Sequence, residues 1–526
     1  MIRTTRDSVR PAQNSAEPHL EPKPEAGLQR HAPYAAAVSA HGELDWLRLN
    51  VPGHAADGAR FDALSALLGD APLRLDVPPL LDGIDLGAGS PLEQALDLAA
   101  EAWGARRTWF LTNGASQGNR IAGLVAQALG ETLVVQRSVH SSVIDGLVLS
   151  GLRAAFVQPS LDPELGIAHG VTAADLATAI AAHPDAAAAY VVTPSYFGAV
   201  ADVRALARTA HGAGIPLIVD EAWGSHFGFH PELPANALEL GADLVISSTH
   251  KLGGSLTQSA MLHLGHGAFA DRLEPLIQRV FNLTQSTSAS ALLLASLDLA
   301  RRGLATGRER IAASLDAADK LRDAVRAAGR FTIVSDGFER FADIVAADPL
   351  RVPIDTRAGG ISGHEARWRL MNDHRILVEV ATDSAIVAVV GAGAVPDADR
   401  FVEALHALPA PLVPRDGLRV GGQPGGRRSE PPRLRLPQPG PVRMTTRQAF
   451  LAPSRLVRAQ DAVGRVSADT LAAYPPGIPN VLPGEVITAE LVEFFQLTAA
   501  TQGGHVRGAA DPAVSKLRIV DEPTAP

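Results

Sequence analysis

Residues 242–254 read ADLVISSTHKLGG, an apolar strand pattern that ends in a lysine flanked by hydroxyl groups, an imidazole and glycines. The same kind of apolar run recurs between about residues 105 and 265, where β-rich segments alternate with amphipathic helical patterns. Continuous apolar strands separated by such helices predict a mainly parallel sheet that is covered on both faces. We therefore expect an α/β domain around this stretch.

Lys251 holds the most unusual position in this stretch. In an open α/β sheet, ligands bind outside the carboxyl ends of the strands, and Lys251 follows such an end. Removal of its amine from water would lower the pKa and leave a neutral nucleophile that can form a Schiff base. A solvated surface lysine is the alternative interpretation.

Three further polar groups follow strand-like runs in the same domain. The loop at 112–117 (TNGASQ) offers backbone N–H groups to an anion such as phosphate, although an ordinary helix cap has a similar composition. His140 follows TLVVQRSV and could stack on a planar ring or occupy an ordinary core or surface position. Asp220 ends the run IPLIVD and could cap a helix or hold a protonated pyridine nitrogen.

The order of these four groups is more informative than any one of them. A phosphate loop, a ring-stacking histidine, an aspartate and a lysine follow one another as one planar phosphorylated cofactor would require. The sequence therefore predicts pyridoxal 5'-phosphate (PLP), held by Lys251 as a Schiff base.

Composition narrows the class of protein. The net charge of −9 gives no overall basic character for a nucleic-acid partner, and the absence of cysteine excludes disulfides and thiolate metal sites. We expect no metal site. The first thirty residues lack the apolar core of a signal peptide and no stretch reaches membrane-spanning length, so a cytoplasmic protein is expected.

The 526 residues are too many for one hydrophobic core. A helical stretch from Ala291 to Arg330 predicts a long connecting helix, and FTIVS, ADIVAA, ILVEVA and AIVAVVG after it are candidate strands of a smaller domain. Five segments are predicted: a disordered tail (1–30), a PLP-binding α/β domain (31–305), a small α+β domain (306–408), a Pro/Gly/Arg-rich linker (409–442) and a C-terminal domain (443–526). A basic interaction segment is the alternative for the linker.

With these residues in place, the chain resembles the Orn/Lys/Arg decarboxylase family of fold type I PLP enzymes over about residues 30–520. The resemblance is carried by short motifs spread along the chain, namely VPGH (51–54), TNG (112–114), TPSY (193–196), VDEA (219–222), STHK (248–251), QSTS (285–288), YPPGIP (474–479) and PGE (483–485). The C-terminal block is the most specific to the family, and the chain is similar to the members that lack an extra N-terminal regulator-like domain.

The resemblance implies a role for each matched position. Lys251 is expected to carry PLP, Asp220 to contact its ring nitrogen, and His140 and Ala222 to pack on the two ring faces. Other matched residues are expected around the phosphate: Ala115, Ser116, Gln117, Ser248 and His250, with Ser286 and Thr287 approaching from a neighbouring subunit of a homodimer. Glu485 is the candidate carboxylate for the distal cation of the substrate.

Three positions depart from the family pattern and leave the substrate pocket open to question. Ala55 and Ser141 stand where the family usually has lysine, and Ala291 ends a segment that is usually Ser-Pro-Ser-Tyr.

The resemblance implies decarboxylation of lysine, ornithine or arginine to the corresponding amine and CO2. Two alternatives remain at this point. One is another PLP lyase or transferase of the same fold, because the lysine, aspartate and histidine serve the cofactor rather than one reaction. The other is a PLP-binding regulatory or scaffolding protein without turnover.

Overall fold

The computed structural model describes residues 27–78, 80–409, 437–474, 478–500 and 504–521. Most of the predicted tail (1–30) and of the predicted linker (409–442) lies outside these ranges. Within the tail, Leu28–Arg30 forms a short 3-10 helix, and the carbonyl of Gln29 accepts a hydrogen bond from Arg301 Nη1 at 2.8 Å. The described fold therefore begins slightly before residue 31.

A seven-stranded sheet forms the centre of the large domain. Its strands in chain order are β1 (Arg107–Leu111), β2 (Thr132–Gln136), β3 (Arg153–Val157), β4 (Ala186–Val192), β5 (Leu217–Asp220), β6 (Leu244–Ser247) and β7 (Ala260–Leu264). The spatial order is β1-β7-β6-β5-β4-β2-β3. Only β7 runs antiparallel to its neighbours, so the predicted mainly parallel sheet is confirmed.

Helices cover both faces of this sheet, as the apolar strands require. Along β4, Tyr190 packs into the core on one face and Val191 into the core on the other, the alternation expected of a strand buried on both sides. The helices on the first face are Gly114–Gln127, Ser141–Ser150 and Ala270–Thr284, and those on the second are Ala173–Ala182 and Val203–Gly212.

The predicted single connecting helix between Ala291 and Arg330 is wrong. The structure has two helices, Ala291–Ala305 and Arg308–Ala328, separated by Thr306 and Gly307. A Cβ added to Gly307 would lie 2.2 Å from the carbonyl oxygen of Gly303, so the glycine permits this close turn of the chain.

The smaller domain contains an antiparallel sheet, and its strands differ from the prediction in three places. Its strands, in spatial order, are Thr332–Ile333, Arg351–Asp355, Ala385–Val389 and Val380–Ala381. FTIVS yields only the first short strand because the chain continues into a 3-10 helix (Val334–Arg340), and Ile344–Ala347 pairs with Ala199–Ala201 of the large domain instead. The central strand Arg351–Asp355 was not predicted. The helices Gly363–His374 and Ala398–Ala407 complete the domain.

The C-terminal region has a core of its own, built around Leu491, Phe495 and Ile519. It consists of the helices Thr446–Leu451 and Ala489–Ala500, and of the strands Ser454–Arg458, Leu471–Tyr474, Pro479–Val481, His505–Arg507 and Lys516–Val520. Among the residues that the structure describes, four α-helices precede the central sheet in the chain: Pro33–Glu43, Asp62–Leu68, Asp70–Leu75 and Pro91–Trp103. Across the described ranges, no helix combines the length and apolar character that a membrane crossing needs.

Candidate active site

The carboxyl ends of β5 and β6 bring Asp220 and Lys251 to one edge of the sheet. The two strands are parallel neighbours, and Asp220, the last residue of β5, is paired in register with Ile246 of β6. A short helix, Thr249–Leu252, follows β6 and carries Lys251. The predicted convergence of a carboxylate and a lysine at this edge is therefore present in the fold.

The Lys251 side chain lies over an aromatic ring. Its Nζ is 3.7 Å from the ring centroid of Trp223, which is itself buried. Burial lowers the pKa of Lys251 to about 8, and the negative charge of Asp220 opposes this shift. The neutral fraction of this amine at a given pH is therefore larger than that of an ordinary lysine, which makes it a more effective nucleophile.

Trp223 also receives a second cation. The guanidinium carbon of Arg351 lies 4.0 Å from the same ring centroid, and Nη1 of Arg351 donates a hydrogen bond to the carbonyl of Tyr196. Trp223 is therefore in contact with two cations, Lys251 and Arg351. The positive charge of Arg351 contributes to the lowered pKa of Lys251.

Asp220 sits in a buried hydrogen-bond network. Its Oδ2 accepts from Asn119 Nδ2 at 3.0 Å, and its Oδ1 accepts from the backbone N–H of Ala222 at 3.0 Å. The hydroxyl of Tyr190 donates to Asn119 Oδ1 at 2.7 Å and thereby fixes the orientation of that amide. Burial raises the pKa of Asp220, and Lys251 opposes the shift. A buried carboxylate of this kind is suited to a cationic partner such as a protonated ring nitrogen.

His140 belongs to the same network. It caps the helix Ser141–Ser150, where its Nδ1 accepts the backbone N–H of Ser142 at 3.2 Å and lies 2.8 Å from the Ser142 hydroxyl. That hydroxyl accepts a hydrogen bond from Asn119 Nδ2 at 2.9 Å. Burial lowers the pKa of His140 to about 4, and nearby positive charges add to the effect. The ring is therefore neutral and available for stacking.

The 112–117 loop lies at the start of the helix Gly114–Gln127, where the N–H groups of Ala115 and Ser116 have no intrahelical acceptor. Gly114 has a left-handed φ of 70°, and its N–H donates to the carbonyl of Gln258 at 2.7 Å. Gln117 Nε2 donates to Gln285 Oε1 at 2.7 Å, so the side chain of Gln117 also braces this loop. A helix N-terminus with free N–H groups is suited to a phosphate.

Ser248 and His250 closely precede Lys251 in sequence. Ser248 is buried and precedes the short helix that carries the lysine. Nδ1 of His250 donates to the carbonyl of Ser259 at 2.9 Å, which leaves Nε2 available to another acceptor or donor. Ser286 and Thr287 are exposed in the single chain, just before the helix that begins at Ala291.

Glu485 is not placed to receive a substrate cation. It is buried, its Oε2 lies 3.1 Å from Arg137 Nη2, and the same oxygen accepts the backbone N–H of Leu482 at 2.8 Å. Arg137 in turn donates to the carbonyl of Pro479 at 2.6 Å. The carboxylate is therefore engaged in joining the C-terminal region to the large domain, which corrects the expectation of a substrate contact.

The three departures from the family pattern occupy different environments. Ala55 lies in a turn with a left-handed φ of 46°, and Ala291 is buried in the main core at the start of its helix. Ser141 is buried and accepts a hydrogen bond from Arg507 of the C-terminal region.

The prediction from sequence missed several side chains that shape the site: Asn119, Tyr190, Ser142, Trp223 and Arg351. Asn119 had a detectable signal, because a polar residue on the apolar face of a helix must find a buried partner. Arg351 had a weaker signal, as a charged residue at the start of an apolar strand.

These features fit PLP. The buried carboxylate of Asp220 suits its pyridine nitrogen, and the neutral ring of His140 suits its aromatic ring. The free N-terminus of the helix Gly114–Gln127 suits its phosphate, and Lys251, with its lowered pKa, suits its aldehyde.

Comparisons with known proteins agree with this arrangement. Residues 32–349 match the Orn/Lys/Arg decarboxylase major domain, and residues 441–504 match the C-terminal domain of the same family. The arginine decarboxylase of Bacillus subtilis is 33% identical over 94% of this chain and 99% of its own length. The arginine decarboxylase of Halalkalibacterium halodurans is 34% identical over 94% of this chain and 98% of its own.

The fold comparison leads to the same group. Lysine decarboxylase A from Pseudomonas aeruginosa superimposes with a TM-score of 0.76 at 22% identity, covering 94% of this chain and 81% of that one. The predicted fold type I architecture is thereby confirmed. The chain belongs to the Orn/Lys/Arg decarboxylase family and is a PLP-dependent amino-acid decarboxylase that acts on a basic amino acid.

Proposed function

We propose that this chain decarboxylates arginine to agmatine and CO2. The relatives that match it at 33–34% identity over nearly their whole length are arginine decarboxylases. The lysine decarboxylase LdcA of Pseudomonas aeruginosa is 25% identical, over 74% of its own length. The nearer similarity supports arginine as the substrate.

The observation that carries the proposed chemistry is the position of Lys251 beside Asp220 at adjacent strand ends. The chain contains four lysines, at positions 23, 251, 320 and 516. Lys320 and Lys516 are exposed, whereas Lys251 is partly buried with a lowered pKa. Lys251 is thus the candidate for the covalent attachment of PLP.

Each neighbouring residue has a distinct proposed task. Bound PLP supplies the electron sink for the bond that breaks between Cα and the carboxylate. Asp220 keeps the ring nitrogen protonated, and His140 and Ala222 confine the ring from its two faces. The helix N-terminus at Ala115 and Ser116 holds the phosphate, with Gln117, Ser248 and His250 nearby.

The lost carboxylate must be replaced by a proton on Cα. Burial lowers the pKa of Lys251 to about 8 and its Nζ is held over Trp223, so we assign it the delivery of that proton. The enclosed position of the amine also limits exchange with bulk water, which favours loss of the charged carboxylate.

The distal guanidinium of arginine requires a carboxylate, and Glu379 replaces Glu485 as the candidate. Glu379 precedes the strand Val380–Ala381 of the small domain, and its charge is close enough to raise the pKa of Lys251. Its side chain is exposed, so it is accessible to a ligand entering between the two domains. A carboxylate can bind a guanidinium with two hydrogen bonds.

A product assay on arginine, lysine and ornithine tests this function. We expect agmatine and CO2 in equal amounts, with kcat/KM for arginine at least about tenfold above the other two. Glu379→Gln should raise KM for arginine, whereas Glu403→Gln, at an exposed position of the same domain, should leave it unchanged. Cadaverine or putrescine as the main product would contradict the assignment of arginine. A keto acid product would indicate a transferase, and the absence of turnover would favour the non-catalytic alternative.

The lowered pKa of Lys251 predicts a pH dependence of PLP uptake by the apoprotein. Below pH 8 the amine is mostly protonated, so the rate of covalent attachment should fall about tenfold per pH unit and level off above pH 8. Because Asp220 raises the pKa of Lys251, Asp220→Asn should shift the profile to lower pH. Stopped-flow absorbance measures both rates. A wild-type rate that keeps rising toward pH 10.5 would contradict the proposed environment of the amine.

We propose that the active unit is a homodimer. Large apolar side chains are exposed in the single chain at Leu47, Leu49 and Leu67, as expected for a surface that a second copy covers. Ser286 and Thr287 are exposed as well, in the segment that the family resemblance places near the PLP phosphate of a neighbouring subunit.

The cytoplasmic location of the protein stays a prediction.

Thr287→Arg should weaken both dimerisation and PLP retention. A bulky cation at a subunit contact opposes association, and a phosphate site completed by the neighbour would then be incomplete. Sedimentation velocity of apo and PLP-loaded protein across a concentration series measures the linkage. The QSTS segment (285–288) does not supply the cap of the helix that follows, because that helix begins at Ala291 and its N-cap is Ser290. A fully active monomer would contradict the shared-site model.

A further inference from the structure

Arg507 of the C-terminal region reaches the segment that carries His140. Its Nη1 donates a hydrogen bond to the hydroxyl of Ser141 at 2.7 Å, although 366 positions separate the two residues in sequence. Ser141 is buried and is the first residue of the helix that His140 caps. The contact therefore joins the C-terminal region directly to the residue next to the proposed ring-stacking histidine.

The strand His505–Arg507 presents this guanidinium outward. It pairs with Leu471–Tyr474, and its middle residue, Val506, is buried in the C-terminal core. Side chains alternate along a strand, so Arg507 points away from that core. The direction of Arg507 thus follows from the strand that anchors it.

Helix stability does not explain the contact. The N-terminus of a helix carries a partial positive charge, so a guanidinium there is electrostatically unfavourable. Arg447, from the same region, provides the contrast: its Nη1 donates to the carbonyl of Leu149 at 3.0 Å, near the C-terminal end of the same helix, where a cation is favourable. Arg507 therefore lies at the N-terminal end of this helix, where a cation is unfavourable, so helix stability cannot be the reason for its position.

The segment that carries His140 is also tied to the C-terminal region on its other side. Arg137, three residues before the histidine, forms the buried ion pair with Glu485. His140 thus lies between two contacts to the same region, one at Arg137 and one at Ser141. Such bracketing restricts the position of the imidazole more than either contact alone.

We propose that Arg507 is a positioning residue for His140 and that it supplies, from the C-terminal region, a positive charge beside the first turn of the helix that His140 caps. This inference rests on the proposed role of His140 as the residue that stacks on the PLP ring. The guanidinium fixes the first turn of the helix and disfavours protonation of the adjacent imidazole.

The electrostatics of His140 agree with this role. The lowered pKa of the imidazole arises first from burial, then from the charges of Lys251, Arg507 and Arg120. A neutral His140 keeps Nδ1 as the acceptor for the N–H of Ser142, and that hydrogen bond orients the ring.

Equilibrium binding of PLP to the apoprotein tests the proposal. Arg507→Gln should raise the dissociation constant of PLP about tenfold, the size expected for losing a hydrogen bond from a charged group. It should also change the visible circular dichroism of bound PLP. Adding Ser141→Lys to Arg507→Gln should restore binding to within about threefold of wild type, because the lysine returns a cation to the same place.

Arg447→Gln is the matched control, because it removes a contact of the same region at the far end of the same helix. It should lower Tm but leave PLP affinity unchanged. Unchanged affinity in Arg507→Gln, or an equal loss in Arg447→Gln, would overturn the proposal. If Ser141→Lys fails to restore PLP binding in the Arg507→Gln variant, the proposal that Arg507 acts by supplying a positive charge would be overturned. A wild-type protein that takes up no PLP would instead contradict the proposed function itself.

Discussion

Lys251→Ala is expected to leave a folded protein that neither attaches PLP covalently nor decarboxylates an amino acid. The substitution removes the amine that attaches the cofactor and the proposed proton donor to Cα, so kcat/KM should fall at least about a thousandfold. Removal of the Lys251 side chain beside Trp223 should not unfold the chain. Burial lowers the pKa of Lys251, which means that the folded state disfavours the charged amine and does not depend on it for stability. Visible absorbance, steady-state kinetics and thermal unfolding measure the three effects.

Lys320→Ala serves as the control for this experiment. Lys320 is exposed on the helix Arg308–Ala328, so its loss should change neither absorbance nor turnover. Wild-type activity in Lys251→Ala would contradict the assignment of the catalytic amine.

Asp220→Asn is expected to retain PLP but to lose about a hundredfold in kcat. The neutral amide cannot stabilise a protonated ring nitrogen, so electrons are accepted less readily from the bond that breaks. The size of the side chain is preserved, although the amide can accept only one of the two hydrogen bonds that the carboxylate receives from Asn119 Nδ2 and from the N–H of Ala222. Kinetics together with the visible spectrum of the PLP-bound variant measure the effect.

Asp243→Asn provides the comparison for Asp220→Asn. Asp243 is also a buried aspartate of the large domain, but its Oδ2 contacts His211 and the N–H of Leu217 instead of the site. We expect a loss of thermal stability without a change in the spectrum of bound PLP. Near wild-type kcat in Asp220→Asn would contradict the proposed contact with the ring nitrogen.

The main features of the fold and site could be predicted from sequence because they follow local patterns. Apolar strands followed by Asp220 and Lys251 indicated both the sheet and the edge where chemistry would lie. The mainly parallel sheet and the family membership are confirmed. These inferences needed only the order of elements along the chain.

Features that depend on distant partners could not be predicted in this way. The motif containing Glu485 suggested a functional carboxylate, but its partner, Arg137, lies 348 positions away. The strand Arg351–Asp355 was missed because its first residue is charged, and only the folded chain shows that Trp223 covers that charge. The approach of Arg507 to Ser141 likewise depends on how two domains pack.

Borohydride reduction of the PLP-loaded protein, followed by peptide mapping, tests the central claim most directly. Reduction converts a Schiff base into a stable bond, and the chain offers four lysines as attachment points. The account predicts one phosphopyridoxyl group per chain, on the peptide that contains Lys251. Label on Lys23, Lys320 or Lys516 in its place, or no label after incubation with PLP, would contradict it.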